Sequence, residues 1–259
     1  MRLFHSALAA ACVLVAAGCS SDNATGPTVE ASNVSAFIPG HSGLRGKLQD
    51  IVAEANGGLG FNMWATILDR NGLVVDVVFS GDRRGDQWPG SRVISAQKAN
   101  TGNAFSLAGF ALSSANLYAA VQPGGSLFGL QESNPVDPDV AYGGSASSFG
   151  TNHDFMIGKR IGGVNVFGGG LALYTPSGRL IGGIGLSGDT SCTDHIIAWK
   201  LRHSLNLDNV PAGVGEGNTD NIIFSSDETI NGFEHPKCDP EAVTIAEGLP
   251  TDFPVGPDE

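Results

Sequence analysis

Between Ile157 and His195 the chain reads IGKRIGGVNVFGGGLALYTPSGRLIGGIGLSGDTSCTDH, and this glycine-rich stretch restricts the fold more than any other segment. Val164, Val166, Leu171, Leu173 and Tyr174 make a β-favouring run, Pro176-Ser177-Gly178 a turn, and Leu180, Ile181, Ile184 and Leu186 a returning strand. Thr193 or Asp194 then caps a helix running to about Leu207. Glycines at 162, 163, 168, 169, 170, 182, 183 and 185 remove side chains from the hairpin, so that another backbone or a flat ligand can lie against it. A tightly packed helix or a bulged strand uses the same glycines equally well.

Upstream, Leu44, Leu48, Ile51 and Val52 recur at helical spacing over 41–55, and Asn56-Gly57-Gly58 stops the helix. Phe61 to Asp69 and Leu73 to Ser80 are apolar, β-rich runs joined through Asn71-Gly72, a hairpin signal. An Ala-rich segment from Ile94 to Leu112 predicts a helix, broken near Gly109, with another from Ser113 to Val121. Helix, hairpin, helices, hairpin, helix is an α+β pattern with an antiparallel sheet. Beyond Asp208 the chain reads as loop-rich, with one short strand at 221–224 and a frayed acidic tail from Pro250 to Glu259.

The order IGxRxGGVxVxGGGLxLY, a short turn, then RLIGGIGLSGDTSxxDH resembles the GlcG/HbpS family of haem-binding and haem-degrading domains. Trp64-Ala65-Thr66-Ile67-Leu68-Asp69 with Gly72, and Ser95 to Thr101 with Phe105, resemble that family's first hairpin and the helix behind it. The likeness spans about Gly43 to Leu207, around an insertion from Gln131 to Asp154, and departs from the family at Gly102, Asn103 and the long C-terminal extension. It implies a profilin-like layout, a sheet of about five antiparallel strands flanked by helices, with haem or a related tetrapyrrole as cofactor.

Arg2, the apolar run from Leu3 to Ala17 and then Ala16-Ala17-Gly18-Cys19 have the arrangement of a bacterial lipoprotein signal over 1–18, with Cys19 the acylated first residue; a plain secretory signal is the alternative. Ser20 after Cys19 favours the outer membrane. Residues 19–40, rich in Ser, Asn, Thr, Gly and Pro, read as a tether, followed by a domain over 41–207 and an extension over 208–259. Without the signal, 13 Lys plus Arg face 26 Asp plus Glu, which disfavours nucleic acid and leaves membrane attachment to the lipid. Cys12 goes with the signal, so Cys192 and Cys238 remain and are expected to form a disulfide in an oxidising compartment; closing that loop contributes about 3–4 kcal/mol. Two thiolate ligands for metal or haem are the competing use.

No serine nucleophile elbow, phosphate-binding loop, paired carboxylates or zinc spacing stands in the sequence, and no residue is marked as a catalytic base. Lys98, Thr101 and Phe105 share one face of the helix, where an ammonium can meet a haem propionate and a ring the porphyrin; ordinary packing explains the face equally. His153, in the polar loop before the hairpin, is the first candidate iron ligand, with Met156 near it, and His195 the second, although Asp194-His195 also suits a capped helix start. Arg160, with Arg83, Arg84, Arg92 and Lys159, supplies cations for an anionic ligand, and Gly168 and Gly169 the close approach. Three functions follow: an exported, lipid-anchored haem binder, a haem-degrading enzyme, or a structural or sensory envelope module for a small organic acid or a protein. Exposed sheet edges and the family likeness suggest homo-oligomers.

Overall fold

A glycine face dictates how the layers stack. The computed structural model describes residues 34–225 and 232–256. In it β1 (Trp64–Asp69), β2 (Val74–Phe79), β3 (Gly170–Tyr174) and β4 (Leu180–Ser187) form one antiparallel sheet in the order β2-β1-β4-β3. Helix α2 (Ser91–Ala104) crosses one face of it. A Cβ on Gly185 would overlap the Ser95 carbonyl, one on Gly183 the Ala99 carbonyl and one on Gly170 the Lys98 carbonyl. Gly102 returns the fit from the helix, since its Cβ would stand 2.7 Å from the Leu171 backbone nitrogen. Helix and sheet therefore touch backbone to backbone.

The opposite face carries the branched side chains. Ala65, Ile67, Val78, Leu171, Leu173, Ile184 and Leu186 pack with Leu44, Leu48 and Ile51 of α1 (His41–Val52) and Ile196, Ile197 and Leu201 of α4 (Ser191–Ser204). α5 (Pro240–Asp252) closes this layer by pressing Ala242, Ala246 and Leu249 into the same core. A Cys192–Cys238 disulfide, with Cα atoms 6.1 Å apart, ties the chain before α5 to the first turn of α4. The C-terminal extension is thus part of the compact unit spanning residues 31–259.

The insertion and the chain that follows it cover an edge. Val74 bridges Ile157 and Leu73 bridges Arg160, while α3 (Pro138–Tyr142) and Met156 pack against Val74, Val77 and Trp64. At the other edge the Tyr174 amide donates to the Leu207 carbonyl. Intramolecular partners thus occupy part of both sheet edges, which weakens exposed edges as a reason for homo-oligomers.

Several elements differ from the sequence reading. The sheet has four strands, not five, because the backbone before Gly170 spends its donors on side chains: the Asn165 amide on Thr101 Oγ1 (2.9 Å) and the Phe167 amide on Asn165 Oδ1 (3.1 Å). α2 stops at Ala104 rather than Leu112, where Ser106 Oγ engages both the amide and the carbonyl of Leu112 and folds the chain back. The segment expected as a helix from Ser113 is two short 3-10 turns, 114–117 and 119–121. Thr190, not Thr193 or Asp194, caps α4 by accepting from the Thr193 amide. The strand expected at 221–224 reduces to a single bridge between Phe224 and His235. α5 replaces loop, and Pro250 to Asp252 lie inside it rather than in a tail; Asp239 caps it, Pro240 starts it, and Ala242, Ala246 and Leu249 recur on one side. Residues 34–40, read as tether, contain a 3-10 turn and bury Val34. The signal, Cys19 and residues up to 33 lie outside the described residues.

The contact of α2 with β4 makes a checkable claim. Gly185→Ala, the smallest possible addition, should lower the unfolding free energy by about 3 kcal/mol through overpacking, measured by denaturant titration. A change below 0.5 kcal/mol would show that the helix can lift off the sheet at little cost.

Candidate functional site

At the end of β4 the two helices on opposite faces exchange charge. Lys98 of α2 donates to Asp194 Oδ2 of α4 at 2.6 Å, both side chains being 4 % exposed or less. Asp194 Oδ1 accepts from the Gly188 and Asp189 amides, at 3.1 and 2.9 Å, so the carboxylate also shapes the β4–α4 turn. Burial raises the Asp194 carboxyl to about 6, against the opposing pull of the Lys98 ammonium. Removing either partner leaves an uncompensated charge in the interior, at a cost of about 3–5 kcal/mol. The pair lines a solvent-open cleft of about 310 Å³ that it shares with Trp88, Ile94, Phe167 and Ser187. Lys98 is therefore neutralised by its own protein, and as a propionate partner it would have to compete with Asp194.

The other residues singled out in the sequence scatter. Thr101 donates to the Gln97 carbonyl and accepts from the Asn165 amide, pinning the approach to β3. Phe105 is half-buried against Leu117, Val121, Val164 and Val166, in a satellite core rather than at a cleft. Gly168 and Gly169 allow close approach, but to this chain: a Cβ on Gly168 would overlap the Ser191 carbonyl, and one on Gly169 would stand 2.6 Å from the Leu186 carbonyl. Arg160 is exposed, with Nε donating to the Asn71 carbonyl at 2.8 Å. Arg92 is buried against Asp154, with Nε to Oδ2 at 2.8 Å, and is not available to a ligand.

The histidines separate by environment. His195 is fully buried in α4, its Nε2 3.1 Å from Asn221 Oδ1 and 3.2 Å from the Ile222 amide; burial drives it down to about 4. That ring holds the C-terminal extension against the core. His235 is also buried, lowered to about 4 for the same reason, and its Nδ1 donates to the Pro236 carbonyl. His203 Nδ1 lies 2.7 Å from Asp208 Oδ2, and the ring stands edge-on to Phe253. His153 is exposed on the loop after Asn152. His41, not among the residues singled out in the sequence, has its Nδ1 2.7 Å from Asp76 Oδ1 and lines a cleft of about 260 Å³ over β2. Its legible trace was Asp76 itself, a lone carboxylate inside the apolar strand VVDVVF that needs a partner once buried.

No group of three or more His, Cys, Asp or Glu side chains among the described residues could hold a metal ion. No helix among them is long and apolar enough to cross a membrane.

A family model described as haem degrading protein HbpS-like matches residues 47–201. Two solved structures are similar. One is Klebsiella pneumoniae protein ORFY of the DUF336 family, at 23% identity over 62% of this chain and 84% of that one, with a TM-score of 0.42. The other is a PduOC:heme complex, at 24% identity over 66% of this chain and 96% of that one, with a TM-score of 0.44. A search of curated proteins found no match.

The two buried histidines predict an acid sensitivity with a definite sign. Because folding lowers both to about 4 from an ordinary value near 6.5, the folded state refuses protons that the unfolded chain accepts. Their contribution is complete above pH 6.5 and is lost as pH falls toward 4, by up to about 3 kcal/mol for each ring. Asp194, raised to about 6, acts in the opposite direction between about pH 6 and 4 and offsets part of the loss. Unfolding free energies measured from pH 7 to pH 4 should fall, with a shallower slope in His235→Gln; a flat profile would contradict the burial of these rings.

Proposed function

The chain belongs to the HbpS-like haem-degrading family, and from that membership we propose that it is an exported, lipid-anchored protein that binds haem or a related tetrapyrrole in the bacterial envelope. The family match is the observation that carries this reading. The lipoprotein pattern ending at Cys19 supports export and anchoring, most simply at the outer membrane.

The chemistry of the donor set fits haem better than a bare ion. A metal ion needs several protein ligands, and no cluster of three exists among the described residues. A porphyrin brings its own equatorial nitrogens and asks the protein for one axial donor and an apolar wall. Reachable imidazoles exist at His41 and His153, whereas His195 is enclosed. The glycine face of the hairpin does not serve as the seat, since α2 fills it, so a ligand of this size must enter a surface cleft and stay partly in solvent. Haem, when bound, would supply iron able to react with dioxygen or peroxide; the protein would contribute a donor side chain, position and partial shelter from water.

Haem titration of the purified chain separates the readings. A saturable Soret shift with a stable spectrum under air is expected of a binder. Oxygen- or peroxide-dependent bleaching with release of a ring-opened product would make it a haem-degrading enzyme instead, and no shift at all would leave a structural or sensory module for a small organic acid or a protein partner. Independently, Cys19→Ser should move the protein from the membrane fraction to the soluble fraction on cell fractionation. Retention in the membrane fraction would defeat the lipid anchor.

A further inference from the structure

The cleft over the outer strand holds an imidazole arranged as a ligand. Asp76 sits within β2 with its side chain 8 % exposed, and a carboxylate so placed must spend its oxygens on donors. Its Oδ1 accepts from the Val77 amide at 2.8 Å and meets His41 Nδ1 at 2.7 Å. His41 is the first residue of α1, so the helix start fixes its backbone while the carboxylate fixes its ring. With Nδ1–H committed to Asp76, the lone pair stands on Nε2, the nitrogen left for an incoming metal. Ile38, Pro39, Val75 and Ile157 supply apolar wall around it, with Ser35 and Asn152 as polar members of the lining.

One oriented imidazole beside apolar wall matches what haem demands, whereas a hydrated ion would find only this nitrogen and the carboxylate already engaged with it. Among the described residues, no other imidazole is shown to combine an aiming carboxylate with a place in a cleft wall. His153 has no side-chain partner to aim its ring, His203 is aimed by Asp208 but packed edge-on to Phe253, His195 is buried, and His235 lines a cleft of its own but is 2 % exposed and held by the Pro236 carbonyl rather than by a carboxylate. Arg160, bridged to Leu73 just ahead of β2, is an exposed cation on the same edge, its Nε donating to the Asn71 carbonyl. His41, Ile38 and Pro39 also precede residue 47, where the family match begins, so the donor comes from chain outside the matched segment.

We propose that His41 is the axial iron ligand of a haem seated in this cleft, with Asp76 as the residue that positions it. The assignment rests on the haem-binding reading above, and the test separates the two.

The whole chain is titrated with haemin and followed by its Soret and visible bands and by the iron–nitrogen stretch in resonance Raman spectra. The unaltered protein is expected to give an imidazole-ligated spectrum. His41→Ala should lose that spectrum and bind at least tenfold more weakly, and added free imidazole should restore the bands. Asp76→Asn should keep ligation, weaken it by about tenfold and shift the iron–nitrogen stretch, which a residue acting only on folding would not do. His153→Ala should behave as the unaltered protein. If His41→Ala melts too early to titrate, His41→Met decides, because a thioether donor must change the bands if position 41 holds the iron. An unchanged spectrum in His41→Ala or His41→Met overturns the ligand assignment while haem binding stands. No Soret shift in the unaltered chain overturns both.

Discussion

The direct seating of α2 on the glycine face of β3 and β4 is the contact from which the rest of the arrangement follows. A helix resting on side chains would stand farther from the sheet. Here Gly170, Gly183 and Gly185 bring the backbones together, and Gly102 completes the fit from the helix. This approach carries Lys98 to the end of β4, close enough to reach Asp194 from the opposite layer, and lets Asn100 and Thr101 hold the irregular chain that leads into β3. It also decides where a ligand cannot go. A hairpin stripped of side chains invites a planar molecule in principle, but this one is already covered by its own helix.

Once both faces are closed, buried charge does the joining. Lys98–Asp194, Arg92–Asp154 and Arg202–Asp220 are enclosed pairs linking α2 to α4, α2 to the insertion, and α4 to the C-terminal extension. Such pairs add little net stability over apolar substitutes, because desolvation offsets attraction, but a wrong partner leaves a bare charge inside, so they select one docking of each added segment. His195 and Asn221 do similar work with neutral groups. The acidic composition is thereby partly internal, and its cations are largely committed. The reachable space is peripheral, and includes the cleft beside Lys98 and the cleft over β2 where Asp76 aims His41.

Local pattern carried both hairpins. Asn71-Gly72 and Pro176-Ser177-Gly178 set the turns, and alternating apolar residues placed β1, β2 and β4 near their observed bounds. α1 was legible from Leu44, Leu48 and Ile51, and the start of α4 only to within a few residues. The pairing of Cys192 with Cys238, expected from the count of cysteines left after the N-terminal segment, is present. The end of α2 was not legible, because a serine hydroxyl capturing a backbone six residues away leaves no periodic trace. α5 carried its own cap and apolar spacing and was obscured by the prolines and acidic residues around it.

Of the residues expected to meet a ligand, His153 and Arg160 are exposed and Lys98 borders a cleft while paired to Asp194, whereas Thr101, Phe105, Gly168, Gly169 and His195 are spent on the protein's own packing. Residue type marks a group as able to bind; its surroundings decide whether that capacity is already used. By itself, the sequence determined what depends on neighbours along the chain: strand and helix periodicity, turn chemistry and the order of the two hairpins with their helices. Tertiary structure alone decided that the bare glycines face a helix, that a lysine is neutralised from across the sheet, and that a histidine at position 41 is aimed by an aspartate at position 76. Those outcomes are set by distances between residues far apart in the chain, and burial and charge pairing respond to distance in space rather than to spacing in sequence.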